Sequence, residues 1–327
     1  MKTRTTCASC FVDDLEGALA TTVSDPALRL EILREAMAWL GDAFDCQRIP
    51  SYFITRVHRL LKERAGLEMP FRELREQCNR AGLAVRRRVA RQLKGIEHPW
   101  HRMRTVVLWA IAGNHLDFRT VGTGYDLAVD PIAAQLAQIV AEGLTIDDTP
   151  QLMAIMLGRP RVLYLADNVG EIALDTLLVE ELLRHGCQVT VAVKGGPITS
   201  DAVLEDAVAV GMDRLAPLIL TGPDTLGLPL DEMSDAVRDE LQRADLVLSK
   251  GQANYYACSE LVSTMQPEFM CLLRTKCLVA ARSLGLDRAR ANVAVLLEKA
   301  VIEESQSKSL TDREKPAQEP GHRCTSG

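Results

Sequence analysis

The sequence predicts an α/β protein: a mostly parallel sheet with helices on both faces, an α/β/α sandwich, preceded by an all-helical N-terminal subdomain. Three observations carry this. Between about 160 and 298, short β-branched runs alternate with helix-length segments, the pattern of a parallel sheet. Those runs are nearly continuous in apolar residues, which marks strands covered on both faces. From 11 to about 145, apolar residues recur at helical spacing and no strand alternation interrupts them.

Taken in order, Asp25-Pro26 opens a helix as an N-cap followed by proline, and Leu28, Leu30, Ile32, Leu33, Met37 and Leu40 give its apolar face. Ile54, Val57, Leu60 and Leu61 mark a second helix; Leu74, Cys78, Ala81 and Val85 mark a third. Val106 to Ala112 is apolar throughout and reads as a buried fourth. The expected strands are 161–166, 188–193, 216–221, 245–249, 269–273 and 292–297. The helices between them are roughly 171–185, 201–210, 231–243, 254–264 and 276–284. Right-handed crossovers place the strand carboxyl ends on one edge, where open α/β sheets bind ligands.

A chain of 327 residues exceeds the size at which one core usually stops growing. It is expected to divide into a helical subdomain over 1–150 and a Rossmann-like α/β unit over 151–300. A polar, proline-bearing tail over 301–327 is expected to be disordered. The net charge of −6 argues against general nucleic-acid binding. No run of about 18 apolar residues suggests a transmembrane helix. The N-terminus lacks the apolar stretch of a secretory signal. The expectation is a cytoplasmic protein with neither membrane nor nucleic acid as partner. Nine scattered cysteines, an odd number, do not form a disulfide framework.

The strand ends carry the chemistry. Asp167-Asn168 follows the first strand, and Lys194-Gly195-Gly196-Pro197 with Asp201 follows the second. Lys250-Gly251-Gln252-Ala253-Asn254 follows the fourth, and Arg274-Thr275-Lys276-Cys277 the fifth. Carboxylate and amide oxygens suit Mg²⁺ or Mn²⁺. Lysines neutralise phosphate oxygens, and helix N-termini offer free N–H groups. Each item alone reads as an ordinary turn or cap. Their joint placement at the ligand-binding edge is what favours a site. Walker A and dinucleotide glycine fingerprints are absent, which excludes a P-loop enzyme and a standard Rossmann dehydrogenase.

Asp167-Asn168-Val-Gly-Glu171, Val193-Lys-Gly-Gly-Pro-Ile-Thr-Ser-Asp201-Ala, Ser249-Lys-Gly-Gln-Ala-Asn254 and Arg274-Thr-Lys-Cys277 together resemble the damage-control phosphatases, long filed as domain of unknown function 89. Ala110-Ile-Ala-Gly-Asn114-His-Leu-Asp117-Phe resembles that family's buried asparagine motif. Cys7-Ala-Ser-Cys10-Phe resembles its cysteine-bearing, mostly prokaryotic branch. The resemblance spans roughly residues 7 to 298. It implies a metal-dependent phosphatase that hydrolyses phosphomonoesters of small metabolites, including sugar phosphates and damaged phosphorylated intermediates. It further implies that Asp167, Asn168 and Asp201 hold a divalent metal (Mg, Mn, Co or Ni). Lys250 would contact phosphate, with Asn254 shaping the same loop. Asn114, Asp117 and Glu171 would complete the substrate pocket. Asp167 and Lys250 would be catalytic, the attacking group being either a metal-activated water or Asp167 itself.

The chain departs from the family where Met69-Pro70-Phe71 with Arg75 stands in place of an Asp-Pro-Tyr run and a following lysine, ahead of Asn79. Gln252 and Ala253 depart as well. These bear on substrate identity more than on the metal site. Cys7 and Cys10 form a CxxC that Cys277 joins through the same resemblance, as redox thiols or as part of a second metal site. Arg86, Arg87, Arg88, Arg91 and Lys94 read as a solvated or domain-bridging helical face. Two rival classes stand beside the phosphatase. A SAM-dependent carboxyl methyltransferase would want a glycine-rich loop after the first strand, where only Gly170 is present. A non-catalytic sensor would bind a phosphometabolite or metal without turning it over.

Overall fold

The helical part forms as the apolar spacing predicts. In the computed structural model, whose described residues are 1–119 and 132–297, α1 (Cys7–Thr22) and α2 (Pro26–Ala43) pack on α3 (Pro50–Ala65). Then come α4 (Arg72–Leu93), α5 (Pro99–Ala112) and α6 (Ile132–Ala141). The Asp25 carboxylate caps α2 by accepting from the Ala27 amide at 2.9 Å, with Pro26 in the first turn. In α5 every residue from Val106 to Ala112 is buried. Of the basic face on α4, Arg86 bridges to the α/β part, donating to Thr176 at 2.7 Å and pairing with Glu180. The expected tail over 301–327 lies outside the described residues.

The α/β part begins with β1 (Ile146–Asp147), α7 (Thr149–Met156), β2 (Arg161–Leu165), α8 (Glu171–Arg184) and β3 (Gln188–Val193). It continues with α9 (Leu204–Val210), β4 (Leu218–Leu220), α10 (Asp235–Arg243) and β5 (Leu246–Lys250). The last elements are α11 (Gly251–Leu261), β6 (Glu268–Arg274), α12 (Leu278–Ser283) and β7 (Asn292–Leu297). The sheet order is β1-β7-β6-β5-β2-β3-β4. Every pairing is parallel except β6 with β7. The expected α/β/α sandwich is what the chain builds, with two corrections. The β7 strand runs antiparallel, so its carboxyl end leaves the common edge; an apolar run reads the same in either direction. The two-residue β1 was not expected, because two residues carry no period.

Alternate strand residues feed two cores. Val162, Tyr164, Val191, Leu248 and Met270 face α5 and α8, while Leu163, Leu165, Val247, Phe269 and Cys271 face α10 and α11. The first core also holds Phe11, Phe53 and Val85 of the helical part. The proposed division near residue 150 therefore marks a change of architecture that one apolar core crosses. Within the sheet, β2 is flanked by β3 on one side and β5 on the other. That reversal is a topological switch point, and the crevice outside it is where such sheets take ligands.

One contact fixes how α4 seats against the start of α8. A Cβ added at Gly82 would lie 2.2 Å from the Gly170 carbonyl oxygen, whereas one added at the exposed Gly41 of α2 would meet nothing within 4 Å. Gly82→Ala should therefore destabilise the fold by about 1–3 kcal/mol. Gly41→Ala should stabilise it by about 0.5–1 kcal/mol. Urea denaturation of both variants checks this; a neutral Gly82→Ala would refute the close approach.

Candidate active site

Backbone pairing builds the site. Beyond β2, the Asp167 carbonyl accepts from the Ala202 amide at 2.7 Å and the Val169 amide donates to Ser200 at 2.9 Å. Asn168 and Asp201 thus face each other in a short antiparallel bridge. Gly170 then turns the chain into α8 at φ +72, so close to α4 that a Cβ would lie 2.7 Å from the Cys78 carbonyl oxygen. Its amide donates to Asn79 Oδ1 at 2.8 Å. Arg75 supports the opposite strand of the bridge through the carbonyls of Thr199 at 3.1 Å and Asp201 at 2.7 Å. Both α4 residues also bind Asp206, Asn79 at 2.8 Å. Arg75 and Asn79, met in the sequence only at the departure from the family pattern, are the struts of this loop pair.

The side chains so assembled are three buried acids and an amide. Asp167, Asn168, Glu171 and Asp201 are each at most 4% exposed. Asp167 Oδ2 accepts from the amides of Asn168 at 2.6 Å and Asn114 at 3.3 Å. The same two amides donate to Glu171 Oε2 at 2.8 and 3.2 Å. Asn114 comes from a short 3-10 turn, Gly113–Leu116, that continues α5. Asn168 Oδ1 accepts from the Ser200 hydroxyl at 2.9 Å. Asp201 Oδ1 accepts from Thr199 at 3.2 Å, but its buried Oδ2 has no hydrogen-bond partner. The nearest cation to that oxygen is the Lys194 ammonium at 3.6 Å.

Ionisation reflects this crowding. Burial first, then the neighbouring Asp201 and Glu171 carboxylates, push Asp167 well above the usual carboxylate range. Burial also raises Asp201, against the pull of Lys194 and Arg119. Burial alone would raise Asp117; the Lys276 ammonium that pairs with it, helped by Arg119, more than offsets this and holds it low. Lys276 stays charged above its ordinary range: burial opposes this, and Asp117 and Asp167 outweigh it.

Lys250 is placed differently from the expectation. Its ammonium is wholly buried and donates to Asp175 at 2.5 Å, Glu171 at 2.6 Å and the Ala110 carbonyl at 2.9 Å. Three protons meet three acceptors, which leaves none for a phosphate. The lysine is a counter-ion inside the wall, and it keeps Asp175, raised by burial to about 6, from rising further. Asn254 is equally occupied. Its amide donates to the carbonyls of Ala166 at 3.0 Å and Lys250 at 2.9 Å, and its oxygen takes Lys194 at 3.4 Å. The cations that do border the acids are Lys194, Lys276 and Arg119. Lys194 and Lys276 stood at strand ends in the sequence; nothing singled out Arg119.

Cys7 starts α1 and Cys277 precedes α12. Both thiols, like Cys10, are free. Burial first, then Cys277, raises the Cys10 thiol, so these sulfurs are neighbours. Among the described residues no three His, Cys, Asp or Glu side chains are arranged to hold a metal ion. The set around Asp167 includes an amide and is not of that kind. Among the described residues, no helix is long and apolar enough to cross a membrane.

The fold and the site define a class: open α/β sheet proteins that present buried acids, ringed by cations, at the switch point. The chain belongs to the family described as the damage-control phosphatase ARMT1-like domain, whose model matches residues 3–291. It is 32% identical over 288 residues to a damage-control phosphatase of Archaeoglobus fulgidus, covering 88% of this chain and 96% of that protein. It is 30% identical over 290 residues to an uncharacterized protein of Methanocaldococcus jannaschii, covering 88% of this chain and 93% of the other. The crystal structure of a DUF89 family protein from Pyrococcus horikoshii superposes with a TM-score of 0.81 at 25% identity, over 91% of this chain and 100% of that one. The expected family is therefore shown, and the methyltransferase alternative is not favoured.

Two predictions follow from the burial. Lys250→Ala leaves Glu171 and Asp175 without their cation and should cost about 3–5 kcal/mol in stability; a loss below 1 kcal/mol by urea titration would refute the buried triad. Asp167 has a folded-state pKa above its unfolded value of 3.8. Its ionisation thus costs nothing below 3.8 and destabilises the metal-free fold increasingly as pH rises from there toward the folded pKa. Asp167→Asn should raise Tm of chelator-treated protein at pH 8, with the gap closing as pH falls toward 3.8; a pH-independent gap would refute the assignment.

Proposed function

We propose that the chain is a divalent-metal-dependent phosphomonoesterase acting on small phosphorylated metabolites, with the ion held by Asp167, Asn168 and Asp201. One observation carries this reading: Asp201 Oδ2 is buried without a hydrogen-bond partner beside a second buried carboxylate. Such a pair is costly unless a cation joins it. Two carboxylates and an amide form a hard oxygen set that suits Mg, Mn, Co or Ni. Asn168 ligates only with its amide turned over, because Oδ1 now faces Ser200 and Nδ2 faces Asp167.

When bound, such an ion supplies Lewis-acid charge to a phosphate oxygen. The residues of the chain do the rest. Asn114 holds Asp167 in place, and the Lys250–Glu171 pair fixes Asn114 in turn. Lys194 steadies Asp201, while Lys276 and Arg119 put positive charge beside the acids, where a transferring phosphoryl group is stabilised. The buried setting keeps bulk water from weakening these interactions. The free thiols, Cys7, Cys10 and Cys277 among them, support a reducing, cytoplasmic setting.

Phosphate release from p-nitrophenyl phosphate and a panel of phosphometabolites tests this. Chelation should abolish turnover, and adding back Mg²⁺, Mn²⁺, Co²⁺ or Ni²⁺ separately should restore it. Asp167→Ala and Asp201→Ala should each lose about 10²-fold or more. Full activity in the stripped protein, or in Asp167→Ala, would end the proposal.

A further inference from the structure

A cavity of about 280 Å³ lies away from the acids, between the start of α3, the 225–232 loop and the second half of α11. None of Asp167, Asp201, Lys194 or Lys250 lines it. Its floor is apolar: Ile49, Leu226, Leu228 and Leu261 are all buried. Its polar character comes from one end. The first turn of α3 carries Pro50 and has neither a side-chain cap nor an acidic residue, so its partial positive charge is unanswered. Ser51, in that turn, lines the cavity at 1% exposure, and its hydroxyl has no hydrogen-bond partner. An unsatisfied buried hydroxyl costs about 1–3 kcal/mol, and an apolar floor gives a lone water few further partners.

The charges around it point the same way. Arg48 and Arg56 lie over the Tyr52 ring, with guanidinium carbons 4.7 and 5.6 Å from its centroid. Of the lining acids, Glu232 is taken by Arg59 at 2.5 Å and Glu260 by Lys2 at 2.7 Å, while Asp231 is exposed. Arg48 is itself paired with Asp45, while Arg56 has no ion pair among the described residues. A helix N-terminus, a free hydroxyl and the Arg56 guanidinium at one end of an apolar hollow suit an anion with an apolar body.

We propose that this cavity is a second ligand site, for a small amphipathic organic anion, and that its occupancy is felt at the acids. The floor loop provides the link. Leu226 donates to Thr55 Oγ1 at 3.1 Å, next to the cavity, and the adjacent Gly227 carbonyl accepts from the Lys194 ammonium at 2.6 Å. That ammonium stands 3.6 Å from Asp201 Oδ2. A Cβ on Gly227 would lie 2.9 Å from the Ala253 carbonyl oxygen and 3.4 Å from the Ser51 hydroxyl, so the loop is wedged between α3 and α11. A ligand pressing on this floor moves the acceptor that holds Lys194. The link to catalysis rests on the phosphatase reading; binding does not.

Titrating octanoate into the full chain, with octanol as the uncharged control, tests the site. Octanoate should raise Tm with concentration and shift the Ser51, Tyr52 and Gly227 amide resonances saturably; octanol should do neither. Leu228→Trp, which fills the hollow, should lose both responses. Ser51→Ala should raise the ligand-free Tm, because it removes the unpartnered hydroxyl, yet bind octanoate about tenfold more weakly. Concurrent shifts at the Asp201 and Ala202 amides are expected from the link through Lys194. The site is overturned by no saturable shift at the cavity amides, or by unchanged octanoate binding in Ser51→Ala. Cavity shifts without any at Asp201 and Ala202 overturn the coupling. No readout requires turnover, so a failure of the phosphatase reading is seen separately.

Discussion

Two buried carboxylates, Asp167 and Asp201, are held side by side by backbone hydrogen bonds rather than by any mutual attraction. Like charges in a dry crevice repel, and the surrounding elements answer that repulsion. Lys194 faces Asp201, and Lys276 with Arg119 faces Asp117. Lys250 absorbs Glu171 and Asp175, so those acids add less charge to the crevice than their number suggests. No described donor reaches Asp201 Oδ2. The deficit is local and points at one spot, which is why a cation is the natural completion of the set.

The strands at 161, 188, 246, 268 and 292 were legible because each is largely buried on both faces and leaves a nearly continuous apolar run. Their direction was not, since nothing in Asn292–Leu297 distinguishes an antiparallel strand from a parallel one. The site was legible as a set of strand ends, while the facing of each side chain was not. A lysine after an apolar strand reads identically whether it points at a ligand or, as Lys250 does, back into Glu171 and Asp175. Arg75, Asn79 and Asp206 lie far apart in sequence, and only the seating of α4 beside the 199–206 segment brings them together. Ser51 reads as an ordinary first-turn serine; its missing partner is visible only in three dimensions.

The same packing holds the walls of the crevice with unequal tightness. On the sheet side the crevice has no room to vary: a Cβ at Gly251 would fall 1.7 Å from Asp167 Oδ2, and Gly170 is pressed on Cys78. The struts from α4 fix the 199–201 loop from below. Among the described residues, the segment from Gly113 to Arg119 forms a further wall and supplies Asn114, Asp117 and Arg119. Phe118 in this wall packs on Phe71, with ring centroids 5.3 Å apart. Phe71 belongs to the Met69-Pro70-Phe71 run just ahead of α4. A change at that run bears on Asp117 and Arg119 through this aromatic contact, and on Asp201 through Arg75, whose amide donates to the Phe71 carbonyl and whose guanidinium donates to the Asp201 carbonyl. The helical part therefore reaches the site from two directions, through Phe118 beside the cations and through Arg75 and Asn79 beneath the acids, while the sheet edge stays fixed.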